Sequence, residues 1–202
     1  MKTKFTILLY SCLLFIISCK NEITENKITE TPSLLPELSI YNLQGEWLNQ
    51  DSSSIKLENY RGDVIVMALI YVSCKAACPK IIADMLTIEK NISQQDLPNV
   101  KFVLVSIDPE NDTPVVLKHA ASEFQFDLNR WTLLSGSEAD TRDIAAVLSF
   151  KYKRTNLSDF AHSNIISVLD QNGIVVYQQV GIETDNAQTL LVIHDLIANK
   201  NK

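Results

Sequence analysis

The chain carries no run of lysine and arginine, and the formal net charge of its 202 residues is −6. Without a basic patch there is nothing to displace the counterions of a phosphate backbone, which argues against nucleic acid as a partner. The acidic balance speaks to solubility rather than to substrate. Cysteine is scarce: of four, Cys12 and Cys19 lie in an N-terminal apolar segment, and Cys74 and Cys78 are the remaining two. One pair is no disulfide framework, so an apolar core must hold the fold. At 46% hydrophobic residues the chain can build one. No internal repeat or low-complexity stretch is present, which excludes a solenoid. Proline is missing after Pro114. The apolar run at residues 5–17 is short for a membrane-spanning helix.

That run follows Lys2 and Lys4 and ends at Ser18-Cys19, the arrangement of a secretory signal. The ending Ile16-Ile17-Ser18-Cys19 resembles the lipobox of bacterial lipoproteins. The resemblance implies cleavage after residue 18, acylation of Cys19, and a lipid anchor facing the extracytoplasmic side of a bacterial cell envelope. An uncleaved signal anchor is the alternative. Residues 20–36 are polar, rich in Glu, Asn and Thr, and show no apolar period, as a flexible tether does. The expected organisation is a signal at 1–18, a lipidated cysteine and tether at 19–37, and one domain at 38–202.

Within the domain, residues 47–57 read as two short strands around a polar turn. Residues 64–72 are apolar on both faces, as a central strand requires. After Pro79, apolar residues at 81, 82, 85, 86, 88 and 92 have helical spacing. Residues 101–107 form a second buried strand and 114–126 a helix, capped by Asp112 or Thr113. A short strand at 131–134 and a helix at 137–150 follow. Residues 164–170 and 174–180 are strands joined through Gln171-Asn172-Gly173, where Asn-Gly signals a tight hairpin. A closing helix spans 185–199. This order predicts an α/β fold: a mixed central sheet with helices on both faces and an N-terminal β-hairpin, the thioredoxin-like plan with insertions.

In open sheets of this kind, sites form at the carboxyl ends of the strands. The first such loop carries Cys74-Lys75-Ala76-Ala77-Cys78-Pro79. Pro79 suits a first helical position and biases Cys78 away from helical backbone, which makes Cys78 the expected N-cap. Both sulfurs then sit at the positive end of a helix dipole, which favours thiolate. Thiolates are soft ligands suited to Cu(I) and zinc; a plain structural disulfide is the other reading. A second loop, Asp108-Pro109-Glu110-Asn111-Asp112-Thr113-Pro114, offers acids that can cap a helix or orient a metal ligand. A third holds His162 just before a strand, either as a ligand that completes a three-donor site or as a solvent-facing loop residue. His119 reads as a surface residue, His194 as a semi-buried packing residue, and Met67 and Met85 as core.

The cysteine motif, the 108–114 loop and His162-Ser163 occur in the order of the SCO/SenC family, which the chain resembles from about residue 38 to 199. The resemblance implies a thioredoxin-like fold and copper, as Cu(I) or Cu(II), held by Cys74, Cys78 and His162. It implies a Cys74–Cys78 disulfide in the oxidised state. It implies a role as copper donor or thiol reductant in assembling the dinuclear copper centre of cytochrome c oxidase, whose copper-bearing subunit would be the partner. A redox or copper sensor is a further reading of the same residues. Members often have proline after the first cysteine, where this chain has Lys75, and aspartate just before the histidine, where it has Ala161. Asp159 is an acid close to that position, and Asp108, Glu110 and Asp159 are the expected outer supports of the ligands.

Overall fold

A computed structural model of the protein describes residues 35–156 and 159–200. The expected signal, the lipidated Cys19 and most of the tether lie outside the described residues. The tether's end, at Pro36 and Glu37, already bonds to the domain: both carbonyls accept from the Asn42 side chain, at 2.8 and 3.2 Å.

The strands are β1 (Trp47–Asn49), β2 (Ser54–Ile55), β3 (Val64–Ile70), β4 (Val100–Ser106), β5 (Trp131–Ser135), β6 (Tyr152–Arg154), β7 (Phe160–His162), β8 (Ile165–Leu169) and β9 (Val175–Val180). The helices are α1 (Ala77–Asn91), α2 (Pro114–Glu123), α3 (Glu138–Val147) and α4 (Ala187–Lys200). Seven strands form one sheet in the order β2-β1-β5-β4-β3-β8-β9, and β6 and β7 form a small sheet of their own.

The centre of the large sheet is parallel, with β3 beside β4 and β4 beside β5. Every residue of β3 is buried, as expected of a strand covered on both faces. The hairpin β1–β2 adds antiparallel to β5, and β8 and β9 add antiparallel on the other side. From β3 to β4 to β5 the chain steps twice in one direction. Two right-handed crossovers of that kind place α1 and α2 on the same face.

Neighbouring glutamines on β9 identify the opposite face. Gln178 donates to the carbonyl of Leu148 at the end of α3, at 2.8 Å. Gln179 turns the other way, to Asn186 and to Thr189 of α4. Successive strand residues point to opposite faces, so α3 and α4 cover opposite sides of the sheet.

Local signals agree with much of this order. Ser137 and Asp140 form a reciprocal cap at the start of α3. Gly173 adopts a positive φ of 74° in the β8–β9 turn, where its N–H donates to Asp170 at 2.9 Å. Two expectations are corrected. His194 is exposed, because α4 buries Thr189, Ile193 and Ile197 instead. The segment around His162 is no loop but the strand β7, paired with β6.

The core position of β3 yields a stability test. Leu69 is 1% exposed, so Leu69→Ala should cost about 2–5 kcal/mol through lost burial and a residual cavity. Leu191→Ala, at a position 59% exposed, should stay within about 0.5 kcal/mol. Urea denaturation of the two variants checks the contrast.

Candidate metal centre

Three strand ends converge at the carboxyl edge of β3 and β4. After Ile70 the chain turns tightly, and the N–H of Cys74 donates to Tyr71 at 3.2 Å. The N–H of Val72 donates to both oxygens of Asp112, at 3.1 and 3.3 Å. Asp112 also accepts from the Ser106 hydroxyl at the end of β4, at 2.6 Å. Asp112 is therefore not the helix cap that its position suggests. Thr113 holds that place, without a side-chain cap bond. Burial pushes the Asp112 carboxyl up, against the pull of the Ser106 and Val72 donors.

The helix start also departs from expectation. Ala76 is the N-cap of α1, and Cys78 and Pro79 lie inside its first turn. N–H groups of a first turn have no intrahelical acceptor, so proline loses nothing there, and this outweighs its bias on Cys78. The free N–H of Cys78 instead points at the Cys74 sulfur, at 3.4 Å.

His162 arrives from the hairpin, where it pairs with Tyr152. Its Nδ1 lies 2.8 Å from the carbonyl of Ser163. A carbonyl only accepts, so Nδ1 is the donor in this contact, and in the neutral ring Nε2 is the nitrogen with the lone pair. Nε2 lies 3.9 Å from the Cys78 sulfur. The ring stacks on Phe150 and meets the edge of Tyr71, with centroids 5.9 and 5.7 Å away.

The Cys74 and Cys78 sulfurs and a His162 nitrogen lie within 4.8 Å of one another, and both thiols are free. Ligand bonds of about 2.3 Å to sulfur and 2.0 Å to nitrogen put such donors roughly 3.8 Å apart across a trigonal ion. The Cys78–His162 separation matches that spacing. Two thiolates and an imidazole are a soft donor set, and this group could hold a metal ion.

The two thiols differ. Burial alone would raise Cys74, but the N–H groups of Cys78 and Ala76, with the Cys78 thiol and the Tyr71 hydroxyl, lower it to about 6. Cys78 goes the other way: burial raises it, and the neighbouring Cys74 charge raises it further. The expectation that the helix start favours both thiolates thus applies to Cys74 alone. A cavity of about 360 Å³ opens between α1 and α2 onto both sulfurs, walled by Ile82, Leu104, Phe124, Phe126 and Leu133.

The expected outer acids do not touch the three donors directly. Asp108, 1% exposed, binds Arg154 of β6 at 2.8 Å and accepts from Asn111 at 2.9 Å. Glu110 reaches the same guanidinium at 3.6 Å. Asp159 lies 3.4 Å from the Tyr71 hydroxyl. Tyr71, which sequence reasoning passes over, stands between that acid and the Cys74 sulfur, and burial pushes its hydroxyl up to about 12. Its position next to the cysteine loop is the available signal. His119 is exposed beside Glu123, as expected, and Met67 and Met85 are core.

A fold of this plan with a dithiol and an imidazole at the carboxyl edge of its sheet defines a thioredoxin-like protein whose three donors could hold a soft metal ion. A sequence model of the SCO1/SenC family matches residues 41–198, and the chain belongs to that family. The SCO1 protein homolog of Bacillus subtilis (strain 168) is 28% identical over 138 residues, 67% of this chain and 71% of that protein. Among solved structures, a SCO1/SenC family lipoprotein from Bacillus anthracis (str. Ames) is 25% identical with a TM-score of 0.69, over 81% of this chain and 96% of that one. Copper-bound ScoI of Bradyrhizobium japonicum is 20% identical with a TM-score of 0.61, over 75% and 96%. BsSco, a member of the Sco family of cytochrome c oxidase assembly proteins, is 23% identical with a TM-score of 0.67, over 79% and 93%. The last two likenesses show the fold. Among the described residues, no helix is long and apolar enough to cross a membrane.

The unequal thiols set a pH profile. Alkylation of the reduced, metal-free protein by iodoacetamide should modify Cys74 first, with a rate that rises through pH 6 and levels off above it. Because the folded pKa lies below the ordinary 9.0, Cys74 adds stability that is present above 9 and is lost as pH falls toward 6. Mass mapping of the modified cysteine, pH by pH, checks the order. Equal labelling of both thiols at pH 7 would contradict it.

Proposed function

We propose that this protein is a copper-binding chaperone, tethered to a membrane, that delivers copper to or helps assemble the dinuclear copper centre of cytochrome c oxidase. The observation that carries the reading is the convergence of the Cys74 and Cys78 sulfurs and Nε2 of His162. Copper is the cargo. The two thiolates suit Cu(I), and the imidazole completes a trigonal shell and is a donor that Cu(II) also favours. The copper-bound ScoI relative and the assembly role stated for the Sco family support the assignment. A lipid on Cys19 followed by a polar tether would hold the domain at high local concentration near a membrane partner. The lipoprotein from Bacillus anthracis supports that arrangement.

The thiol asymmetry favours a second reading, a thiol–disulfide reductase. The Cys74 thiolate would attack a partner disulfide and release one partner thiolate, which takes up a proton. Cys78, on losing its proton, would then displace the second partner sulfur and close the Cys74–Cys78 disulfide. Two electrons pass to the partner, and two protein thiols become one disulfide. In this reading His162 tunes thiolate reactivity and need not bind metal.

Copper titration of the reduced protein separates the readings. One Cu(I) should bind per chain, and His162→Ala should weaken binding at least tenfold, about 1.4 kcal/mol, with the fold and disulfide formation intact. The oxidised protein should lose tight binding, since both thiolates are gone. Full copper affinity in His162→Ala, with normal oxidase assembly in cells, would replace the chaperone reading with the reductase one.

The anchor has its own check. Cys19→Ser should abolish lipid attachment and slow signal processing. Mass spectrometry that finds no lipid on the wild-type mature N-terminus would remove the anchor from the proposal.

A further inference from the structure

The histidine and the cysteines reach the centre on separate pieces of structure. Cys74 and Cys78 belong to the β3–α1 junction, whereas His162 rides on β6–β7, which forms a sheet of its own beside the seven-stranded one. The base of the hairpin is tied to the large sheet through Asn164, whose carbonyl accepts from Gly181 at 2.9 Å just before β8, but β6 and β7 themselves make no strand pairing with it.

Side chains hold the other end of the hairpin, where Arg154 pairs with Phe160. Arg154, on β6, sends its guanidinium into the 108–114 loop, 2.8 Å from Asp108 and 3.6 Å from Glu110. Its Cζ stands 4.6 Å over the ring of Phe160, which faces Arg154 across the β6–β7 pairing. Phe160 packs on Tyr71, with centroids 5.1 Å apart. Asp108 is 1% exposed and has its second oxygen occupied by Asn111, so its carboxylate is fixed in place, and among the described residues Arg154 is its charge partner. The same loop, through Asp112, holds Val72 at the root of the cysteine turn.

We infer that Arg154 is a positioning residue for the third donor: its pair with Asp108 latches the hairpin to the loop that also holds the cysteine turn, and so sets the distance from His162 to the two sulfurs. This deepens the copper reading and rests on it. A guanidinium has no lone pair to offer a metal, so Arg154 acts through the hairpin rather than as a ligand. A buried carboxylate facing a planar guanidinium that is also stacked on an aromatic ring is orientation-specific, and lysine would reproduce the charge without the fork or the stacking.

A double-mutant cycle tests this. Cu(I) affinity is measured by competition with a chromophoric chelator for the reduced wild type, Arg154→Met, His162→Ala and the double variant. Arg154→Met should weaken binding about fivefold or more in the wild-type background and change nothing further once His162 is alanine. Arg154→Lys should fall between. In the metal-free protein, the ring protons of His162, shifted by Phe150 and Tyr71, should move toward free-histidine values in Arg154→Met. Since Arg154→Met leaves a buried carboxylate uncompensated, Asp108→Asn/Arg154→Gln provides a neutral, hydrogen-bonded pair. It should keep the fold and bring the His162 signals back toward wild type. Equal loss of affinity in both backgrounds, or unmoved His162 signals in a folded Arg154→Met protein, would overturn the latch. A wild type that binds no copper would instead sink the copper reading, and the metal-free His162 signals alone would then decide the latch.

Discussion

Two buried carboxylates just beyond β4 govern the arrangement of the candidate centre. Asp112 accepts from the root of the cysteine turn and from Ser106. Asp108 accepts from the hairpin that carries His162. Carboxylates are seldom buried without such partners, because a desolvated charge that lacks them is costly. Here the need for partners is what draws three separate stretches of chain together. A loop of seven residues thus joins a strand-to-helix turn to a hairpin that the main sheet does not pair with.

Within that frame, backbone geometry differentiates the donors. The start of α1 aims the N–H groups of Ala76 and Cys78 at the Cys74 sulfur and lowers its pKa, while Cys78, within the first turn, is raised by burial. The Ser163 carbonyl fixes which imidazole nitrogen is free. The three donors are thus unequal: one thiol is lowered, the other is raised, and the imidazole is held at Nδ1 by a carbonyl. The cavity beside the cysteines is walled mainly by apolar side chains, with Lys75 and Glu123 also lining it.

Much of the fold is legible in the order of residues. The continuous apolar run of β3, the helical period of α1, Ser137 at the start of α3 and the Asn-Gly turn before β9 are local signals, and local signals survive translation into structure. The places where the sequence misleads have a common cause. Strands β6 and β7 are three residues each and only partly buried, too short to display a period. The apolar period of α4 misplaces its buried face by a fraction of a turn, enough to exchange His194 for Ile193. Asp112 resembles a helix cap in sequence, because nothing local shows that Val72 stands in front of it.

The sequence by itself determined which atoms were available: two thiols at a strand-to-helix junction, three histidines downstream, and a proline-stiffened acidic loop before them. Covalent order and residue chemistry suffice for that. Only the tertiary structure decided which acid serves which half of the site, that Tyr71 stands against Cys74, that His162 lies on a strand, and that the two cysteines ionise differently. Each of those depends on distances between segments far apart in the chain, and on burial, which sequence position does not encode. The hydrogen-bond accounting of a folded interior is a property of the whole domain, so the outer support of the centre became readable only when the chain was closed around it.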